Sequence, residues 1–511
     1  MKLLIELTRI ANLKRVSKIE IFDAQSTKNK TSKFNAFYDA LSSDKLRTDR
    51  DAAKMLYNTS PADDRYRQLK SRFRRRLLNT VFFLNVTSPI KPRYEQAYAD
   101  CQRDWALVNI LTLYDAEQSV PYLTRQLLSA ASKYHFTSIM VQSVRLLMQI
   151  ATSTQDIKEH ERLQQLLEIY LPMEQAEIEA ETLFQNICLK KDLEPEGLST
   201  SLWNAWRERF IQLSEHHPTP RTQYLAYLVG SWQYMAEGRF DLVLSICQQA
   251  ERMLNANPDY FPQDSFFSIR YLLIQVFLQT GDFSAAREHA EKIIPELEPG
   301  SQEWLNYLDI YYLVAVKSEN YTHAYAILQR LLSLKQFNKL DAPTKEKWQL
   351  YKVALYYLLF ITPDSSRLLQ SKLYSNFQIT HFLEDVALFP KERRIYTVWT
   401  LILQVLFLLE QNEDQAIDEI MDRLKQYTRK QLHPVRHERI IEFIRCLGYL
   451  SKSGFDGSKI KVDNKYYLRL LSLPLKYNGN IDQLEIIPFP TLWGLIHKRL
   501  KRSSVGPMLS I

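Results

Sequence analysis

An all-α fold made of stacked helical hairpins is predicted by three features of this 511-residue sequence. Glycine is scarce, with 11 in the whole chain. Sheet-rich and nucleotide-binding folds need glycine for tight turns and close backbone approach, whereas long helices joined by short loops do not. From about residue 104 the apolar residues recur with helical spacing, one segment after another, with short breaks between them. A turn pattern also recurs along the chain, and an internal repeat of this length signals an array of similar units. A chain this long exceeds one compact core and fits either about three domains or one extended stack.

Residues 1–100 read as a small basic helical head. Lys18-Ile19-Glu20-Ile21-Phe22 alternates polar and apolar residues and predicts one short strand, Gln25–Ser32 a loop, and Phe34–Leu41 a helix. Ser60-Pro61-Ala62-Asp63-Asp64 reads as a helix start, with Ser60 as the cap, Pro61 at the first helical position and two carboxylates at the positive end of the dipole. Tyr66, Leu69, Phe73, Leu77 and Thr80 then mark one face of a helix. Leu78 and Val81–Leu84 make its end apolar all round, which predicts burial there, and Thr87–Pro92 reads as a linker.

The array follows, with hairpins over 101–215 and its most regular part over 216–455. The turn pattern is glycine or polar, any, aromatic, any, any, small. Gly238-Arg239-Phe240-Asp241-Leu242-Val243, Gly281-Asp282-Phe283-Ser284-Ala285-Ala286 and Glu319-Asn320-Tyr321-Thr322-His323-Ala324 carry it. Tyr134–Ile139 is an earlier copy, and Gln411–Ala416 is a late one without the aromatic. The small residues at 243, 286 and 324 are 43 and 38 apart, and the step of 92 from 324 to 416 has room for two units, the intervening one built from Trp348–Ile361 and a helix after Ser365. Each unit is a helical hairpin in which the aromatic fills the bend and the small residue lets the second helix approach the first. A lone hairpin cannot cover its apolar side, so hairpins must stack.

Gly281-Asp282-Phe283 with Ala286 and Ala290 resembles the middle of a tetratricopeptide repeat, and Gly238-Arg239-Phe240 and Asn320-Tyr321 with Ala324 are similar to it. The resemblance covers roughly 220–335 and implies a right-handed superhelix whose first helices line a groove. It departs from the family in its longer period and in Ile274 and Tyr312, which stand where the family packs a glycine. By that resemblance Tyr227, Tyr234, Arg270, Phe277, Leu308 and Tyr312 are groove positions for a protein or peptide partner. The overall layout also resembles helical-repeat proteins of Bacteroidota bacteria, a likeness that carries no function. Past Gly454 and Gly457 the character changes. Tyr477-Asn478-Gly479-Asn480 signals a turn, Ile486–Pro490 is extended by its prolines, Thr491–Leu500 forms a last helix, and the basic segment 456–511 is expected to be partly extended or disordered.

Charge divides the chain further. The net +8 is made of 21 basic against 11 acidic residues in 1–100, 36 against 44 in 101–457, and 9 against 3 in 458–511. Such asymmetry speaks about partners rather than about fold. Arg65, Arg67, Lys70, Arg72, Arg74, Arg75 and Arg76 form the densest run and make the head helix the best candidate contact, since a guanidinium fork suits phosphate or carboxylate. A solvated or internally paired face is the structural alternative for the same residues. Two function classes follow: a non-catalytic scaffold that holds a protein or peptide, or a nucleic-acid-associated protein that uses its basic ends.

Catalytic signatures are missing. The sequence has no G-x-x-x-x-G-K, no G-x-G-x-x-G and no G-x-S-x-G, and it implies no cofactor. His433 and His437 are four apart, but Pro434 places His433 just outside the helix that follows, and no third metal ligand accompanies them. Glu177, Glu179 and Glu181 read as a solvated face. Cys101, Cys188, Cys247 and Cys446 form neither a disulfide framework nor a zinc motif, which suits a reducing compartment. The N-terminus shows no stretch of signal-peptide length. The most apolar run, Tyr396–Leu409, is too short to span a bilayer and reads as a buried helix. A cytoplasmic location is expected.

Overall fold

The computed structural model describes residues 33–43, 45–82, 93–113, 119–193, 198–334, 337–384, 389, 394–434, 437–455, 459–473 and 484–503. The regular structure of the described residues is all helical, with no strand among them. The expected strand at 18–22, the loop at 25–32, the linker at 87–92, the turn at 477–480 and the last residues lie outside the described set. The chain forms two compact units, Met1–Tyr170 and Leu171–Ile511.

The first unit opens with helices α1 (Lys33–Ser42), α2 (Asp49–Tyr57) and α3 (Asp64–Phe82). These three share a core of their own, centred on Phe73, which is fully buried and lies 4.7 Å from the ring of Phe37 and 4.8 Å from that of Phe34. Tyr66, Leu69 and Leu77 are buried beside it. The helix begins later than the sequence suggested. Ser60 to Asp63 form a turn closed by the Asp63 N–H on the Ser60 carbonyl, and Asp63 is the cap, accepting the Arg65 N–H at 2.9 Å. A carboxylate one residue before the first turn satisfies a free donor as Ser60 would have done. Leu78 is 47% exposed, so the helix end is not apolar-buried all round.

Helices α4 (Arg93–Thr112), α5 (Ser119–Tyr134) and α6 (Thr137–Ser153) complete the first unit with the start of α7 (Ile157–Leu193). Their core is built on Leu127, Ala131, Phe136 and Ile139, then on Val144, Leu147 and Leu163.

The second unit pairs helices in sequence order: α8 (Thr200–His216), α9 (Pro220–Glu237) with α10 (Phe240–Ala256), α11 (Gln263–Thr280) with α12 (Phe283–Ile293), and α13 (Gln302–Lys317) with α14 (Tyr321–Leu332). After α15 (Ala342–Ile361) the expected second helix is replaced by a 3-10 segment, Pro363–Gln370, and the six-residue α16 (Ile379–Glu384). Pro363 lacks the N–H that would continue an α-helical ladder. Then come α17 (Arg394–Gln411) with α18 (Asp414–Gln431), α19 (Glu438–Lys452) with α20 (Lys465–Ser472), and α21 (Phe489–Ser503). As its hydrophobicity predicts, α17 is buried without interruption from Ile395 to Leu409.

One turn geometry recurs through both units. His135, Gly238, Gly281, Glu319 and Asn412 adopt left-handed φ between 57° and 81°. The next residue, Phe136, Arg239, Asp282, Asn320 or Glu413, has φ between −94° and −82° and ψ between 66° and 75°, and the new helix starts at once. At four of these turns that residue's N–H reaches a carbonyl five positions back: Phe136 to Ala131, Arg239 to Tyr234, Asn320 to Ala315 and Glu413 to Leu408. This is the Schellman cap used as a hinge between two helices. A Cβ at Gly238 or Gly281 would meet nothing, so glycine serves the positive φ there and not close packing. The geometry also shifts two copies of the pattern by one residue. His135 and Asn412, not Tyr134 and Gln411, match Gly238. The close-packed position is then Ile417 rather than Ala416, and Met140 rather than Ile139. Val243, Ala286 and Ala324 are all fully buried, as expected of that position.

Candidate partner-binding surfaces

The seven cations of α3 divide into two sets. At its N-terminal half, Arg65 pairs with Asp63 (2.9 Å), Arg67 with Asp64, and Lys70 with Asp49 of α2 (2.7 Å). The Arg65 guanidinium holds the Asp63 carboxyl down to about 2. Partial burial opposes ionisation of Asp49, but hydrogen bonds from Lys70 and Tyr66 outweigh it and keep this carboxyl below its ordinary value. Farther along, Arg76 is half-buried with its guanidinium 5.2 Å from the Phe34 ring. Arg72, Arg74 and Arg75 are exposed and make no ion pair among the described residues. The open patch and the paired face foreseen as alternatives therefore coexist on one helix.

The six positions expected to line the repeat groove also separate. Leu308 (1% exposed) and Tyr312 (0%) are core residues, not lining. The Tyr312 ring stacks 4.5 Å from Tyr351 of the next hairpin, and its hydroxyl donates to the Tyr351 carbonyl at 3.0 Å. Where the repeat family brings backbones together over a glycine, this chain fills the gap with paired aromatic rings. Tyr227, Tyr234, Arg270 and Phe277 are half-buried. Arg270 lies 3.6 Å from Glu251 and 3.7 Å from Glu296, and Phe277 packs near His289. Tyr234 is flanked by two guanidiniums, Arg207 at 5.6 Å and Arg239 at 5.3 Å, neither of which has a carboxylate partner among the described residues. Lys190 of α7 lies over Trp206 at 5.6 Å. These stacks place unneutralised cations on aromatic rings near one end of α7–α10.

Toward the C-terminus the first helices are covered by the chain itself. Leu484–Ile487 is non-helical and buried, and Phe489 opens α21. Its ring stacks on Phe443 of α19 (4.5 Å) and on Trp399 of α17 (5.5 Å). The Trp399 indole donates to the Leu484 carbonyl at 2.9 Å, and that of Trp493 to the Val462 carbonyl at 3.0 Å. Arg439 pairs with the buried Glu485, and Arg499 with Glu410 at 2.9 Å. The described part of 456–511 thus folds against α17 and α19 as a closure. No local period in the sequence marks it, because its partners lie 31 to 89 residues away. Nearby, burial pushes the Lys317 ammonium down to about 8, with Glu485 opposing and Arg439 adding to the shift.

Other expected features resolve simply. Glu179 and Glu181 are ion-paired with Arg209 and Arg221. His433 lies outside α19, and its N–H donates to the Nδ1 of His437, the residue before that helix. Among the described residues no three His, Cys, Asp or Glu side chains gather as a metal site, and Cys101, Cys247 and Cys446 are buried thiols. No described helix is long and apolar enough to cross a membrane. No family model, no curated protein and no solved structure matches the chain.

Proposed function

We propose that the protein is a non-catalytic scaffold whose tetratricopeptide-like hairpins form a right-handed superhelix and hold a protein or peptide partner. The observation that carries this reading is the contrast along the first helices of the second unit. From α13 to α19 that face is filled by the chain's own side chains and C-terminal closure, whereas α9 and α11 keep Tyr227, Tyr234, Arg270 and Phe277 half-exposed. The unneutralised Arg207 and Arg239 beside Tyr234 favour a partner segment that carries carboxylates. The buried thiols of Cys101, Cys247 and Cys446 suit the cytoplasm. The test is co-purification of the tagged full-length chain from its own cells, in parallel with Y234A/R239E. A partner retained by the parent and lost by the variant supports the reading. A chain that elutes alone under gentle conditions overturns it.

A second reading, association with nucleic acid through the head, is favoured by Arg72, Arg74 and Arg75, which are exposed and make no ion pair among the described residues. Only the N-terminal half of the two-ended version retains support, since Arg499 in the C-terminal run is held by Glu410. Retention on nucleic acid at about 50 mM salt that fades steeply by 200 mM is the expected behaviour.

A further inference from the structure

We propose that the C-terminal half of α3 is a recognition surface for double-stranded DNA, lying in the major groove with Arg75 at its crown and Arg72 and Arg74 toward the two phosphate walls. The proposal rests on the nucleic-acid reading of the head and commits it to one ligand.

The geometry follows from helix periodicity. At about 100° per residue, Arg75 lies nearly opposite the buried stripe of Tyr66, Leu69, Phe73 and Leu77, while Arg72 and Arg74 fall on opposite flanks. Three guanidiniums spread over the outer arc of a cylinder match a ligand that surrounds that arc with negative charge on both sides. A duplex major groove, about 12 Å wide, does so. A flat acidic protein surface would meet one flank and leave the other unmatched. The remaining outer positions suit base edges: Gln68 and Ser71 are exposed hydrogen-bonding side chains, and Leu78, 47% exposed between the arginines, offers an apolar contact of the kind thymine methyl groups take.

Other nucleic acids fit less well. Binding of single strands relies on aromatic platforms for the bases, and both aromatics of the basic run, Tyr66 (1% exposed) and Phe73 (0%), face the core. Duplex RNA has a major groove too deep and narrow for side chains to read. The head is suited to present such a helix, because its three helices hold a core of their own. Its residues 33–82 carry 12 basic against 6 acidic side chains, with Arg47, Arg50 and Lys54 also exposed.

The test uses the full-length chain and a fluorescent 25-base-pair duplex of mixed sequence, read by anisotropy across a salt series. The parent should bind with a log–log salt slope of about 0.9 per phosphate contacted. R72Q/R74Q/R75Q should bind at least about tenfold more weakly at 50 mM salt, with a slope shallower by roughly 2 to 3. R65Q/R67Q, which removes cations already paired, should change affinity several-fold less. A single R75E, with the circular dichroism of the parent, guards against a folding defect in the triple variant. If the parent binds no duplex, single strand or RNA, the nucleic-acid reading falls and the inference with it. If single strands, duplex RNA or polyglutamate compete as well as duplex DNA, the inference is overturned while association through the head stands; if the triple variant binds like the parent, the inference is overturned and the head reading falls with it.

Discussion

The head and the C-terminal closure are the two basic ends of the chain, yet they use arginine in opposite ways. In the closure Arg439 is bound to a carboxylate buried to 4% side-chain exposure, Arg499 reaches Glu410, and Arg469 lies 3.2 Å from Glu442. In the head the N-terminal cations of α3 are answered by Asp49, Asp63 and Asp64, but Arg72, Arg74 and Arg75 are answered by nothing among the described residues. Net charge therefore measures neither end's capacity for a partner. What matters is which cations the fold has already neutralised, and only the folded arrangement shows that.

If the closure is core rather than a detachable tail, its substitutions should cost the most. Phe489→Ala removes a ring that is 1% exposed between Trp399 and Phe443, so the urea midpoint of the second unit should fall by an amount equal to about 3–5 kcal/mol. A change below 1 kcal/mol would mean that 484–503 is dispensable and the two ends more alike than argued. The buried pair should cost nearly as much when broken from one side. Glu485→Gln leaves Arg439 facing a neutral group at a site where loss of one charge typically costs about 3–5 kcal/mol, whereas R439M/E485L should recover most of that loss. Equal losses for the single and double variants would contradict the pairing.

Much of this fold could be read from the sequence because its determinants are local. Two of the glycine turns, the buried small residues and the apolar α17 each declare themselves within a few residues. The same geometry went unread at Gln155, with φ of 57°, because only the backbone marks a left-handed residue there and no glycine announces it. At His135 and Asn412 the turn was found one residue out of register for the same reason. The candidate site divides similarly. Asp63–Arg65 and Asp64–Arg67 lie two and three residues apart and were foreseeable. Asp49–Lys70, Glu410–Arg499 and the Tyr312–Tyr351 stack join distant positions that no pattern links. Leu308 and Tyr312 are core rather than lining, a distinction no sequence pattern makes because a residue that lines a groove and one that fills it share the same helical spacing.

Lys317 sharpens the contrast by pH. Its ammonium is disfavoured in the folded chain, so the unfolded chain holds more protons than the folded one between about pH 8, its folded value, and 10.4, an ordinary lysine's. Its contribution to stability therefore rises with pH across that window and is flat below it. Lys317→Met should be more stable than the parent at pH 7, and the gap should close as pH approaches 10. The difference between the two proteins is the quantity to follow, since buried thiols such as Cys247, pushed up to about 11, add their own pH dependence to both. A gap independent of pH would show that Lys317 carries no burial penalty, and that the closure tolerates an unpaired cation as freely as the head does.

The smallest effect is the most telling for the head. Arg72 stands three and four residues before Arg75 and Arg76, and like charges at those spacings destabilise a helix by about 0.2–0.5 kcal/mol per pair. Arg72→Gln removes both repulsions and no ion pair, so hydrogen exchange from the amides of α3 should slow slightly, provided no ligand is present. Arg499→Gln, the matching change in the closure, should instead speed exchange in α21, because it removes the cation paired with Glu410, whose side chain is 15% exposed. One arginine is thus predicted to weaken the element it sits on and the other to hold its element in place. Repulsion left in a folded helix is relieved only once something of opposite charge arrives, so responses of opposite sign from Arg72 and Arg499 would identify the head as the end built for an outside ligand. Faster exchange in α3 of the Arg72 variant would mean that this side chain has a structural partner after all, and that the two ends differ in degree rather than in kind.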